Sequence, residues 1–322
     1  MKTGLVLLAI LASIGLVSAY IILNPVKKVG MKSALKILVE KERLYADVQY
    51  LTQITPPRQA FNLTGIEQAA TYIYEEFQKL SNRVSYQPFK VDGQTYKNII
   101  CSLGPTEGER IIIGAHYDVC GNQPGADDNA SGVAGLLEIA RLLHAQEAKL
   151  KYRFDLVSFC LEEPPYFKTA SMGSAVHAKS LRKEGVIVKA MVCLEMIGYY
   201  SEEKGSQRYP LPGMHAIYPD KANFISVIGD LNQEKLVAHL KKYMLAGSTI
   251  DVQSLNAPAS IPGVDLSDHL NYWANNYPAV MITNTSFYRN PHYHQESDTI
   301  DTLDFDKMAE VVKGVYWAVM HL

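Results

Sequence analysis

No long basic run interrupts this sequence, and its formal net charge is only −2 over 322 residues. With no positive stripe to meet phosphates, a nucleic-acid partner is excluded. Cysteine is scarce: the four residues Cys101, Cys120, Cys160 and Cys193 show no CxxC spacing. That favours free thiols over a disulfide framework, and Cys160 and Cys193 lie in apolar runs, as buried thiols usually do. There is no internal repeat and no low-complexity linker. One large unit over residues 33–322 is therefore the simplest division, and an apolar content of 48% is ample for its core.

A local absence comes at the start of the chain. Residues 4–23, GLVLLAILASIGLVSAYIIL, carry no charge. The run is long enough to span a bilayer as a helix. Lys2 precedes it, and Lys27, Lys28 and Lys32 follow. Val17-Ser18-Ala19 also resembles a small-residue cleavage site. Residues 1–24 are thus expected to be an N-terminal membrane anchor or a signal peptide, and the continuation past Ala19 favours the anchor. Either reading puts the rest of the protein outside the cytoplasm, anchored to the membrane, or secreted or periplasmic.

Beyond that segment, helical and strand periods alternate. Helical spacing covers 33–51, 66–80, 131–145, 174–183, 232–243 and 304–320, with Asn232 as an expected cap. Strands are expected at 83–91, 96–103, 110–114, 154–161, 186–194, 223–228 and 279–283, the first two joined by the Asp92-Gly93 turn. The alternation predicts an α/β fold of three layers, a mostly parallel mixed central sheet with helices on both faces.

Functional groups in such sheets collect at the carboxyl ends of the strands. Here those ends deliver His116 and Asp118, Glu162-Glu163, Glu195 and, after a loop, His294, with no lysine or arginine in place. Asp127 and Asp128 follow in HYDVCGNQPGADDNASG, residues 116–132. Each piece has an ordinary explanation alone. His-x-Asp is often a surface pair, Glu-Glu before Pro-Pro a solvated loop, and Asp-Asp a helix start that favours the macrodipole. Together they suit two divalent cations roughly 4 Å apart sharing a bridging carboxylate. A His/Asp/Glu set without thiolate suits Zn²⁺, with Mn²⁺ or Co²⁺ as alternatives.

The run HYD…PGADDNASGVAGLLEIAR resembles the M28 family of metallopeptidases, the zinc aminopeptidases of the bacterial leucyl aminopeptidase type. The Glu-Glu pair, the acid before Met-Ile-Gly, Ser-Asp-His and Tyr-His…Ser-Asp-Thr extend the resemblance over most of the chain after about residue 33. It implies a zinc-exopeptidase-like fold, a peptide substrate and two zinc ions, or one. Asp127 would bridge the metals, Glu163 and His294 would complete one position, and His116 and Glu195 the other. Glu162 would be the general base, and Asp118 would orient His116. The resemblance also implies a cis peptide between Asp127 and Asp128.

Two departures stand out. Family members usually have aspartate where this chain has Glu195. After Glu163 a short Gly-rich turn is replaced by PPYFKTAS, residues 164–171, expected to form an aromatic flap near the metals. No tyrosine precedes Ser-Asp-His, so Tyr288 and Tyr293 stand as candidates for the oxyanion donor. Asp265 and Asp268 are candidates for binding a substrate ammonium. Residues 199–222 are expected at the pocket rim, and Asn62 and Asn284 head glycosylation sequons. The resulting expectation is a metallo-aminopeptidase, a hydrolase acting on peptide bonds. A glutaminyl-cyclase-like transferase on the same fold is the first alternative. A non-catalytic receptor or scaffold is the second, and it is disfavoured because every ligand position keeps a metal-binding residue.

Overall fold

The computed structural model describes residues 6, 9–15 and 36–322. An 8-stranded sheet runs through it in the order β1-β2-β4-β3-β5-β8-β6-β7. The strands are β1 (Val84–Val91), β2 (Gln94–Leu103), β3 (Arg110–His116), β4 (Arg153–Phe159), β5 (Val188–Glu195), β6 (Phe224–Gly229), β7 (Asp251–Asn256) and β8 (Ala279–Thr283). Strands β4, β3, β5 and β8 are parallel neighbours, so their carboxyl ends share one edge. The β1–β2 hairpin adds antiparallel to β4, and β6 pairs antiparallel with β8 and parallel with β7. The mixed, mostly parallel α/β sheet is as expected.

Strand β3 shows why the centre of the sheet needs no polar alternation. Ile111 and Ile113 enter one core cluster and Ile112 the other, on the opposite face. At Gly114 a Cβ would stand 2.3 Å from the Phe159 ring of β4, so only glycine lets these strands approach.

Helices α1 (Lys41–Thr52), α2 (Leu63–Gln78), α3 (Gly132–His144), α5 (Glu234–Gly247) and α7 (Phe305–Val319) supply the larger core cluster. Helices α4 (Gly173–Lys183) and α6 (His269–Ala274) supply the other through Ala178, Leu181 and Tyr272. In α3, Val133, Leu136, Leu137 and Leu143 are fully buried. Each such side chain contributes about 1.5–3 kcal/mol. Leu137→Ala would remove that contact and leave a cavity, at a cost of about 2–5 kcal/mol.

Some boundaries differ from expectation. The first helix starts at Lys41, because Glu40 is extended and its amide bonds the Glu138 carboxylate at 3.0 Å. Asn232 does not cap α5: it bonds Asp230, and the helix begins after Gln233. Strand β7 and the six-residue α6 were not expected. Both are short, and β7 mixes polar and apolar residues on an edge.

The expected membrane anchor is corrected. Among the described residues no helix is long and apolar enough to cross a membrane. The membrane-anchored location argued from that segment is corrected with it. Most of the 4–23 run lies outside the described residues.

Candidate metal centre

The parallel strands bring their acids and histidines to one edge. His116 closes β3, Glu162 and Glu163 follow β4, and Glu195 closes β5. The His116 ring is fully buried. Its Nδ1 faces Asp118, 3.2 Å from the backbone oxygen and 3.7 Å from Oδ1. Its Nε2 lies 3.4 Å from Asp128 Oδ1, 3.4 Å from Glu195 Oε2 and 3.8 Å from Glu162 Oε2. Across the same carboxylate, His294 Nε2 lies 3.2 Å from Asp128 Oδ2 and 3.2 Å from Glu163 Oε2. Asp128 thus stands between the two imidazoles.

Further carboxylates hold this set from behind. Asp118 accepts the backbone amides of Glu162 and Glu163, each at 3.1 Å, and so ties the end of β3 to the loop after β4. Asp298 accepts the amides of Asp127 and Asp128 at 2.9 and 3.0 Å. The Ser267 hydroxyl donates to Glu195 at 2.6 Å.

Asp127 is not in the cluster, which corrects the expected bridge. Its Oδ1 accepts the amides of Gly198 and Tyr199 at 2.8 and 3.2 Å. Its Oδ2 accepts the side-chain amides of Asn284 and Asn290 at 2.8 Å each. A carboxylate offers about four lone-pair sites; these four donors, with the Ser131 hydroxyl at 3.3 Å from Oδ1, already fill them. Asp128, not Asp127, stands between the two histidines, and the cis peptide falls at Asp128-Asn129. Asn284 is fully buried in this network, so its sequon is not an accessible acceptor.

The charges are unbalanced without a cation. Burial raises the Glu162 carboxyl far above its usual range; Glu195, Glu163 and Asp268 add to the rise, and His116 opposes it. Burial likewise pushes Glu163 up to about 8, and Asp268 up to about 7. Burial also opposes ionisation of Asp128, but the adjacent His116 and His294 imidazoles outweigh it and hold this carboxyl below the ordinary range. The cation behind the site is Arg58, which no spacing pointed to. It is buried, and its guanidinium is spent on the carbonyls of Leu51, Pro124 and Gly125, at 2.8, 2.6 and 2.6 Å.

Orphaned polar atoms supply the test of fit for a metal. His116 Nε2, His294 Nε2, Asp128 Oδ1 and Glu163 Oε1 are buried and have no hydrogen-bond partner. Such atoms carry a desolvation cost that a partner must offset. Two groups offer ligand atoms within 4.8 Å of one another: His116 with Asp128 and Glu163, and Cys120 with Glu163 and His294. A divalent cation fits this donor set.

A cavity of about 140 Å³ opens beside these residues. Asp128, Glu162, Glu163, Glu195 and His294 stand at one side, and Tyr209, Met214, Phe224, Ile228, Val264 and Met281 line much of the rest. The insertion 199–222 contributes Tyr209, Met214 and Tyr218 to the wall, and the flap contributes Pro164 and Phe167. Tyr166 of the flap turns away and donates to Asp92 at 2.8 Å. Tyr288 and Tyr293 both line the cavity, and Tyr293 stacks on His294 with centroids 3.8 Å apart. Of the two candidate ammonium binders, Asp265 is paired with Lys168 at 2.6 Å. Asp268 is buried, with neither oxygen hydrogen-bonded.

The model of Peptidase family M28 matches residues 98–319. This chain belongs to that family. The M28 chain is 49% identical over 282 residues to YfbL of Escherichia coli strain K12, covering 85% of this chain and 86% of that one. It is 30% identical to a probable leucine aminopeptidase of Trichophyton verrucosum, covering 88% and 73%. Among solved structures, the LapA aminopeptidase of Legionella pneumophila superposes with a TM-score of 0.72 at 22% identity, covering 90% of this chain and 74% of that one. At that identity the likeness is one of fold.

For this M28 member, residue spacing alone did not reveal Arg58, Ser267, Asn290 or Asp298. Ser267 and Asp298 lie in the Ser-Asp-His and Ser-Asp-Thr stretches, which carried the only available signal. Arg58 and Asn290 had none.

Proposed function

We propose that this protein is a zinc-dependent aminopeptidase that removes N-terminal residues from peptides. The observation that carries the reading is Asp128 held between His116 and His294, with Glu162 beside His116 at the edge of an apolar cavity. His116, Glu195 and Asp128 would hold one ion, and Glu163, His294 and Asp128 the other. Aspartate 128, rather than Asp127, is the shared ligand in this reading. When bound, zinc supplies polarisation of the scissile carbonyl and acidification of a water.

The residues of the chain do the rest. Glu162 takes the proton of the attacking water and passes it to the leaving amine. Tyr293 is the better placed of the two tyrosines to donate to the developing oxyanion, since it stacks on His294. Burial, with the nearby carboxylates, keeps its phenol protonated. The cavity takes the side chain of the N-terminal residue and, being lined by Tyr209, Met214, Phe224 and Met281, favours large apolar ones. A peptide-cleavage assay comparing free and acetylated N-termini tests the reading.

A further inference from the structure

Cys120 lies beside Glu163 and His294, and one ligand atom from each of the three falls within 4.8 Å of the other two. Two donors bound to one ion at about 2.0–2.3 Å are at most about 4.6 Å apart. The trio is therefore close to ligating separation as it stands. A loop cysteine alone carries no such weight, and the neighbours supply the independent signal. Glu163 is 2% exposed, and its Oε1 has no hydrogen-bond partner. The Nε2 of His294 is also without one.

The loop is fixed on both sides of Cys120. The Val119 amide donates to the Arg58 carbonyl at 3.2 Å. The Arg58 guanidinium reaches the carbonyls of Pro124 and Gly125 on the far side. Cys120 is a free, half-buried thiol, whereas Cys101, Cys160 and Cys193 are free and buried.

The geometry points to Cys120 as a thiolate ligand of the metal that Glu163 and His294 hold, an assignment that rests on the metal-centre reading above. With Asp128, that position offers one sulfur, one nitrogen and carboxylate oxygens. The His116 position offers only nitrogen and oxygen. The two positions are thus chemically unequal. Thiophilic ions such as Zn²⁺ and Cd²⁺ prefer the Cys120 position, and hard ions such as Mg²⁺ are disfavoured there. As the metal–sulfur bond forms the S–H bond breaks, and its proton leaves to solvent, so one proton is released for each ion bound through sulfur.

Cobalt(II) titrated into metal-free protein reads the two levels separately. Its visible ligand-field absorption reports binding, and near-ultraviolet sulfur-to-cobalt charge transfer reports a thiolate ligand. The wild type is expected to show both, and Cys120→Ser only the first. Cd²⁺ is expected to bind Cys120→Ser roughly 10- to 100-fold more weakly, the range that even a supporting contact is worth at a metal site. Cobalt bound to the wild type without charge transfer, or charge transfer that survives in Cys120→Ser, overturns the thiolate ligand and leaves the metal centre standing. No cobalt uptake at all overturns the metal centre, and the thiolate ligand with it. Should Cys120→Ser fail to fold, iodoacetamide labelling of the wild type, mapped by peptide mass, decides the question. Cys120 is expected to be labelled without metal and protected at saturating Cd²⁺, and equal labelling overturns the assignment.

Discussion

Asp298 takes the Asp128 backbone amide on one carboxylate oxygen at 3.0 Å and the Asp127 amide on the other at 2.9 Å. The carboxylate between the two histidines is therefore aimed by a residue 170 positions along the chain. Asp298→Asn replaces one acceptor with a donor facing an N–H. Metal affinity, measured by calorimetric titration, is expected to fall about 10- to 100-fold. An unchanged affinity would show that Asp128 needs no such support.

The adjacent aspartates are expected to fail in different ways. Asp128→Asn should fold normally and bind less metal, because its carboxylate faces only the site. Asp127→Asn should lose about 2–4 kcal/mol of stability, because the amides of Gly198 and Tyr199, the side-chain amides of Asn284 and Asn290 and the Ser131 hydroxyl all donate to that carboxylate. Urea denaturation and metal content of the two variants check this. The reverse pattern would restore Asp127 to the bridge.

Glu162→Gln keeps the size of the side chain and removes its capacity to shuttle a proton. Turnover is expected to fall by about 10²–10⁴, with metal content nearly unchanged. Near-normal turnover would remove Glu162 from the role of base.

These contrasts mark how far the sequence could be read. The layers and the strand-end acids were legible because β3, β4, β5 and β8 are short, apolar and parallel, with β3 ending on His116, β5 on Glu195, and Glu162-Glu163 following β4. That Asp128 rather than Asp127 faces the histidines was not legible. Which of two neighbouring side chains faces the histidines depends on donors from residues 198–199, 284 and 290. Arg58 was invisible for a similar reason: its partners are backbone carbonyls, which carry no side-chain identity. The flap was foreseen near the metals, but not that Phe167 would face the cavity while Tyr166 anchors to Asp92.

Acid sensitivity should trace partly to His177, away from the metal centre. Burial lowers its ring from 6.5 to about 4, and its Nδ1 sits 2.6 Å from the Tyr272 hydroxyl. Above pH 6.5 the ring is neutral in both folded and unfolded chains and adds no pH dependence. Between 6.5 and about 4 the unfolded chain gains a proton that the folded one refuses, so stability falls as pH falls; below about 4 the loss stops. The slope approaches about 1.4 kcal/mol per pH unit within that window. His177→Gln should flatten the curve relative to wild type in denaturation series from pH 7 to pH 4. Parallel curves would mean that the ring does not titrate this way.

Ser226 of β6 lines the cavity and is buried. Ser226→Phe should fill space meant for the N-terminal side chain. The ratio of kcat/KM for leucine- over alanine-led substrates is expected to fall roughly 10- to 200-fold. An unchanged ratio would place that side chain elsewhere.

Peptide cleavage, read by mass spectrometry, tests the central claim most directly. Matched peptides with free and acetylated N-termini, and one led by glutamine, are incubated with and without chelator. Stepwise loss of single residues from free termini only, abolished by chelator and restored by zinc, is the predicted result. Cleavage of acetylated peptides, activity indifferent to chelator, or loss of ammonia from the glutamine-led peptide without release of free glutamine would contradict it.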